Sequence, residues 1–326
     1  VKNKLKLTAL GAAALLGLTG CGLSPSTGTV PPSAPGEIQP IPGLSEEKPK
    51  VTVTSKSFTE QLIVGKIAVI ALQTAGFDVT DLTNVPGSQP ARELLVSNAA
   101  NMVWEYTGTA WLTYLGHEEP VPGAEAQWKA VRDEDAKNGL YWGAPAPLNN
   151  TYAMAMNEEA AKELGVTKLS QLKDLDKSEL TFCVDPEFNS RRDGLTPMLE
   201  AIGLKRGSDV PESNVGLYDV GAIYSATADG ACNFGEVFTT DGRIKALNLT
   251  VLEDDVEYFP SYNMAPVING EFYEQYPQVA DVMAQIAPLL TDEVLMDLNY
   301  QVDVEGGEPA DVAFAWMVQE GLVTEP

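Results

Sequence analysis

The residues best placed for chemistry stand where strand-like runs end. Lys56 follows the run Val51-Thr52-Val53-Thr54-Ser55, and Ser57 and Glu60 beside it have the spacing of a capping box ahead of an apolar helix. An ammonium next to a helix start favours an anion. A plain helix cap with a solvated lysine explains the segment equally well. Glu105-Tyr106-Thr107-Gly108-Thr109 closes another run with a ring, two hydroxyls and a permissive glycine. Asn149-Asn150-Thr151-Tyr152, the segment Glu187 to Gly194 with Arg191 inside it, Phe238 and Tyr262 stand in similar positions. In open α/β sheets, ligands bind beyond the carboxyl ends of strands, near helix starts. Taken singly, each ring is explained as well by core packing.

Other chemistries find little footing. The single histidine, His117, lies between Gly116 and Glu118 and reads as a solvated surface residue. It weakens both a Ser-His-Asp hydrolase and a histidine metal site, so no catalytic residue, metal or cofactor is expected. A glycosidase needs a pair of carboxylates, and none of the 46 acidic residues stands apart from the surface population. The formal net charge of −25 argues against a nucleic-acid partner, which basic clusters recognise. No interior apolar run reaches the roughly 18 residues of a membrane span. The absence of internal repeats discourages a purely structural adhesion role.

The elements that must position these residues follow a βαβαβ rhythm. A strand over Val51–Ser55 precedes a helix from Thr59 to Ala75, with Ile63, Ile67, Ile70 and Ala71 on one face. A strand starts at Phe77, a helix runs from Gln89 to Ala99, and Met102–Tyr106 is a strand again. A second such unit runs from Thr181 through a helix near Leu195–Ile202 to strands at Val215–Tyr218 and Thr250–Leu252. Helices near Tyr273–Leu290, Asp292–Tyr300 and Ala310–Glu320 are expected to dock back on the first unit. With 326 residues, about two α/β domains with mainly parallel sheets are predicted. Tyr152-Ala153-Met154-Ala155 and Tyr262-Asn263-Met264-Ala265 share the pattern Tyr-x-Met-Ala, each opening a strand, and bracket the second unit. They read as a pair of antiparallel crossover strands.

The first residues read as targeting. Lys2, Lys4 and Lys6 precede an apolar stretch from Leu7 to Leu18, and Leu18-Thr19-Gly20-Cys21 resembles a bacterial lipobox. Residues 1–20 are therefore expected to be a lipoprotein signal peptide and Cys21 the lipidated residue. Two acyl chains can hold a soluble domain on a membrane, at ~0.8 kcal/mol per buried methylene. Residues 21–49, rich in Pro, Ser and Gly, read as a flexible tether. In an exported chain the remaining Cys183 and Cys232 favour a disulfide, with two buried thiols as the alternative.

Over residues 50–326 the chain resembles the substrate-binding proteins of ABC importers for quaternary ammonium osmoprotectants, the glycine betaine, choline and carnitine binders. The resemblance rests on Ser55–Gln61, Glu105–Thr109, Thr151–Ala153, Glu187-Phe188 with Arg191, Asp193 and Gly194, Thr240–Ile244, Leu252–Asp255 with Phe259, Pro260 and Tyr262, and Leu298-Asn299 with Val302-Asp303. It implies a two-lobed periplasmic-binding-protein clamshell of type II, with lobe 1 over 50–151 and 262–326 and lobe 2 over 152–261. It implies an aromatic cage of Tyr106, Tyr152, Phe238 and Tyr262. Lys56, Thr109 and Arg191 are then candidates for a ligand carboxylate, and Glu187 orients Arg191 or offers negative potential to the ammonium. Many members carry tyrosine in place of Phe238 and aspartate in place of Asn150; losing that acid favours a zwitterion over choline. The implied protein is a monomeric, non-enzymatic component on the extracytoplasmic face, delivering its solute to permease subunits. The alternatives are a clamshell for another small cation or an amino acid, and a tethered hydrolase.

Overall fold

The computed structural model describes residues 28–326. Its strands, in chain order, are β1 (Ala34–Pro35), β2 (Lys50–Lys56), β3 (Asp78–Val85), β4 (Met102–Tyr106), β5 (Leu140–Trp142), β6 (Tyr152–Met156), β7 (Phe182–Val184), β8 (Val215–Leu217), β9 (Phe234–Phe238), β10 (Thr250–Val251), β11 (Met264–Asn269) and β12 (Val323–Thr324). Two five-stranded sheets form, ordered β3-β2-β4-β11-β5 and β8-β7-β9-β6-β10. The two orders are equivalent. β2 in the first sheet and β7 in the second each pair in parallel with the next two strands of the chain. In each, one strand runs against both neighbours: β11 in the first sheet and β6 in the second. Four strands of each sheet therefore share a direction, as the βαβ rhythm requires.

The opposing strands carry the two Tyr-x-Met-Ala segments. The chain leaves the first sheet after β5 and enters the second through β6; it returns after β10 through β11. Asn149 and Asn263 bridge each other where these crossings lie side by side. Tyr152 opens β6 as expected, but β11 starts at Met264, so Tyr262 stands two residues outside its strand.

The helix Thr59–Ala75 forms as predicted and ends at Gly76, whose φ of 109° suits glycine. Its surroundings differ from expectation. Instead of one buried face, the helix is buried on nearly every side, because helices Gln278–Ile286, Asp292–Asp303 and Pro309–Gln319 pack against it. The C-terminal helices thus dock on the first unit. The expected capping box is absent: Phe58 is the N-cap, no side chain caps the helix, and Glu60 turns into the interior. A helix at Ala124–Asp135, mostly polar, was not evident from apolar periodicity.

The expectation of a free tether through residue 49 does not hold for residues 28–49. β1 pairs with β12, Ile38 and Leu44 are buried, and Glu37 and Ile38 donate backbone hydrogen bonds to the Gly321 and Leu322 carbonyls. Two spaced apolar side chains and an open strand edge suffice to dock this arm. The expected signal segment and Cys21 lie outside the described residues. Cys183 and Cys232 form a disulfide, with Cα atoms 5.8 Å apart, tying β7 to the turn ahead of β9.

Candidate functional site

The carboxyl ends of the parallel strands from both sheets face one cavity of about 670 Å³. Lys56 ends β2 and Ser57 to Thr59 follow it, Pro86 to Ser88 follow β3, and Tyr106 with Thr109 stands at the end of β4. From the second sheet, Asp185 to Glu187 and Arg191 follow β7, Asp219 to Gly221 follow β8, and Phe238 and Arg243 come from β9 and beyond. Asn150, Tyr152 and Tyr262 enter from the two crossings. All nine residues singled out for ligand contact in the sequence line this one cavity, although they are scattered from position 56 to position 262.

The rings form a continuous wall. Phe58 stacks on Tyr106 at 6.2 Å between centroids and on Phe238 at 5.2 Å. Phe238 lies 5.2 Å from Tyr152, and Tyr152 meets Tyr262 edge to face at 5.7 Å. These separations lie in the attractive range for aromatic pairs. Phe58 links the first-sheet ring to the second-sheet ring, and reasoning on sequence did not select it. Its signal was its place one residue ahead of a helix at a strand end. Two internal cations already rest on the wall: Lys56 Nζ is 4.7 Å from the Tyr106 ring centre, and the Arg191 guanidinium carbon is 5.4 Å from that of Tyr152.

A belt of polar contacts runs behind the rings. Lys56 Nζ donates to Glu105 Oε1 at 2.6 Å. Tyr114 Oη lies 2.8 Å from Glu105 Oε2 and 3.1 Å from the Ser88 carbonyl. Ser88 gives both its backbone N–H and its hydroxyl to Glu187, which also accepts from Arg191 Nη1 at 3.1 Å. Arg191 presents Nε and Nη2 to the two oxygens of Asp193, and Tyr262 Oη donates to Asp193. Lys56 and Arg191, expected to hold a ligand anion, are therefore each ion-paired within the chain. Burial pushes the Glu187 carboxyl up, but the Ser88 hydrogen bonds and the Arg191 and Lys56 charges outweigh it and leave its pKa lowered. Thr109 borders the cavity as a buried residue.

Asn150 plays a different part from the one its neighbours suggest. Its Nδ2 donates to Glu60 at 2.9 Å, and Glu60 also accepts from Tyr106 Oη at 2.6 Å, Thr240 Oγ1 at 2.6 Å and Asn299 Nδ2 at 3.4 Å. The donors come from β4, a crossing, the loop after β9 and a C-terminal helix. Burial raises the Glu60 pKa, and these four hydrogen bonds restrain the rise. Glu60 thus ties both sheets together directly behind the ring wall. On the far side, Arg243 pairs with Asp241 and reaches Asp303 at 3.4 Å, another link between the two units.

His117 stacks on Trp111 and lies 3.1 Å from Glu134, outside the cavity lining. Among the described residues there is no group of three or more His, Cys, Asp and Glu side chains suited to a metal. No helix among them is long and apolar enough to cross a membrane.

Residues 49–319 match the family model for the substrate binding domain of ABC-type glycine betaine transport systems. The chain is 37% identical over 291 residues to a glycine-betaine-binding protein of Pseudomonas aeruginosa, covering 87% of this chain and 91% of that one. It is 29% identical over 279 residues to an ergothioneine transport permease/ergothioneine binding protein of Helicobacter pylori, covering 85% of this chain and 48% of that one. Its fold matches the apo form of the Escherichia coli protein YehZ with a TM-score of 0.61 at 26% identity, covering 84% of this chain and 99% of that one. The shared two-sheet clamshell and the match along most of its length lead to one conclusion: the chain belongs to the family of substrate-binding domains of ABC-type glycine betaine transport systems.

Proposed function

We propose that this protein captures a quaternary ammonium solute of the glycine betaine type between two lobes, residues 50–151 with 262–326 and residues 152–261, and delivers it to an ABC permease. A quaternary ammonium has no N–H to donate, so carboxylate hydrogen bonds cannot select it; ring faces can, at ~0.5–2 kcal/mol each. The observation that carries the reading is the convergence of Tyr106, Tyr152, Phe238 and Tyr262, from both sheets and both crossings, on one cavity wall. Lys56 and Arg191 support it, because each sets a cationic group against a ring of the wall within the molecule itself. A ligand touching rings from both lobes stabilises the closed arrangement by its differential contacts.

In this reading Tyr106, Tyr152, Phe238 and Tyr262, with Phe58, receive the trimethylammonium, and Lys56, Thr109 and Arg191 face the carboxylate end. Asn150 sets the position of Glu60, and Glu187 that of Arg191. The binding unit is a monomer held at the extracytoplasmic face through lipid on Cys21, and performs no catalysis. The relatives named for glycine betaine and for ergothioneine bind molecules that share a trimethylammonium and a carboxylate, which favours a zwitterion.

Calorimetric titration of the full chain, unfolded and refolded to strip carried-over solute, tests the reading. Glycine betaine, choline, carnitine, ergothioneine and a control amino acid are the titrants. Saturable binding of a quaternary amine, lost in Tyr106→Ala and Tyr262→Ala, is expected. A folded sample that ignores every quaternary amine would sink the proposal and return attention to amino acids.

A further inference from the structure

We propose that Glu187 is a built-in competitor for the carboxylate of the bound solute, and so sets the preference between zwitterionic betaines and quaternary amines that lack a carboxylate. The inference rests on the function proposed above.

Three donors bordering the cavity converge on Glu187: the Ser88 N–H at 3.1 Å, the Ser88 hydroxyl, and Arg191 Nη1 at 3.1 Å. The other edge of the Arg191 guanidinium is held by Asp193, so Nη1 belongs to the part of the fork still able to take a second carboxylate. Ser88 opens a nine-residue helix, Ser88–Val96, on the first sheet's side of the cavity. Glu187 comes from the second sheet's side, after β7. Gly87, with φ 88°, precedes Ser88 and lies beside the carboxylate: a Cβ there would stand in ordinary contact, 3.6 Å from Glu187 Oε2. The Arg191 side chain is only 4% exposed, so its charge needs carboxylate partners rather than water.

These donors form the environment a solute carboxylate requires, and a side-chain carboxylate holds them. Two anions cannot share the same N–H groups without repulsion. A zwitterion must displace Glu187 or turn to the Lys56 ammonium, which has one of its three protons committed to Glu105. A solute without a carboxylate makes no such demand. Glu187 then keeps Ser88, and its charge remains available to the cation. The same contact joins the two halves of the cavity wall, so displacing it replaces a bridge within the chain with a bridge through the solute.

The test compares glycine betaine with choline, by calorimetry on the refolded full chain, in wild type, Glu187→Ala, Glu187→Gln and Ser88→Ala. In Glu187→Ala the ratio of the choline Kd to the glycine betaine Kd should rise about tenfold or more, with tighter glycine betaine and unchanged or weaker choline. Glu187→Gln, which preserves shape, should move the ratio in the same direction by less, and it carries the test if the alanine variant melts early. Ser88→Ala removes a donor that the zwitterion would inherit, and should weaken glycine betaine while leaving choline within about threefold. An unchanged ratio in both Glu187 variants overturns the proposal. Equal weakening of both ligands also overturns it and makes Glu187 a ligand contact or a clasp for closure. Wild-type protein that binds no quaternary amine is a separate failure, that of the functional reading itself.

Discussion

The two five-stranded sheets share one strand order but are held in place by different means. The first is backed by the helix Thr59–Ala75, which three C-terminal helices and the N-terminal arm cover in turn. The second has shorter parallel strands and buried apolar side chains of its own, such as Phe182, Leu195, Leu199, Tyr224 and Phe234, to which it adds a disulfide. One topology is thus stabilised in both units by apolar burial, to which the second, with its shorter strands, adds a covalent cross-link. Their buried acids differ as well. Asp135, beside the first sheet, accepts from both Arg92 Nη groups, Trp142 and Asn138. Glu236, on β9, accepts from the Asp185 N–H at 2.9 Å and faces the Asp185 carboxylate.

The sharpest way to break the contrast is Asp135→Asn. It strips Arg92 of its counter-charge in a buried place and should cost about 3–5 kcal/mol, read by urea unfolding. Burial opposes the Asp135 charge, but the Arg92 hydrogen bonds and charge prevail and its pKa is lowered. The unfolded chain therefore binds the proton more readily. The stabilisation is fully present above the ordinary aspartate range and is lost as pH falls through the lowered value. A wild type whose stability in acid matches that of the variant at every pH would refute this.

Next in size is the cross-link. Cys183→Ser with Cys232→Ser should destabilise by about 2–4 kcal/mol. Hydrogen exchange should quicken over residues 182–238 while the helix Thr59–Ala75 stays protected. Equal acceleration in both regions would show that the two units unfold as one and that the disulfide does not serve the second alone.

Glu236→Gln should move stability in the opposite direction, with a gain on the order of 1 kcal/mol at pH 7, because the amide oxygen accepts the same hydrogen bond without the cost of holding a proton above the unfolded pKa. Burial and the neighbouring Asp185 raise the Glu236 pKa well above 4.5. The folded form thus holds its proton where the unfolded form has released it, and stability falls as pH rises above the unfolded value. The advantage of the variant should shrink toward pH 4; a constant advantage across pH would assign the effect to packing.

The smallest effect is expected at the paired strand ends, Tyr106 on β4 and Phe238 on β9. Tyr106 commits its hydroxyl to Glu60, while Phe238 offers a face alone. Phe238→Tyr keeps that face and should change affinity for the solute less than tenfold, whereas Tyr106→Phe also removes a donor from Glu60 and should change it more. Titration of the two variants side by side decides whether the strand ends are equivalent in function as well as in position.

Much of this architecture was legible in the sequence, residue by residue. Met102–Tyr106 and Thr59–Ala75 match the structure end for end, because alternation and helical period act over a few neighbours. The paired Tyr-x-Met-Ala segments located both opposing strands. Glu60 was misread for a physical reason: the spacing of Ser57 and Glu60 is local, but its partners Asn150, Thr240 and Asn299 are 90 or more positions away. The arm over residues 28–49 differs likewise, since its composition resembles a linker while Glu37 and Ile38 meet carbonyls of the far end of the chain and Ile38 and Leu44 are buried.

By itself, then, the sequence determined the element order, the doubled unit, the two cysteines available for bonding and the set of rings and charges at strand ends. Those properties follow from local periodicity, turn residues and chemical type. Only the tertiary structure decided who faces whom: Lys56 on Tyr106, Phe58 between the two sheets' rings, and Glu187 on Ser88 across 99 positions of chain. The reason is that a charged or aromatic group takes its partner from whatever the two crossings bring within a few ångströms, and no local pattern encodes that meeting.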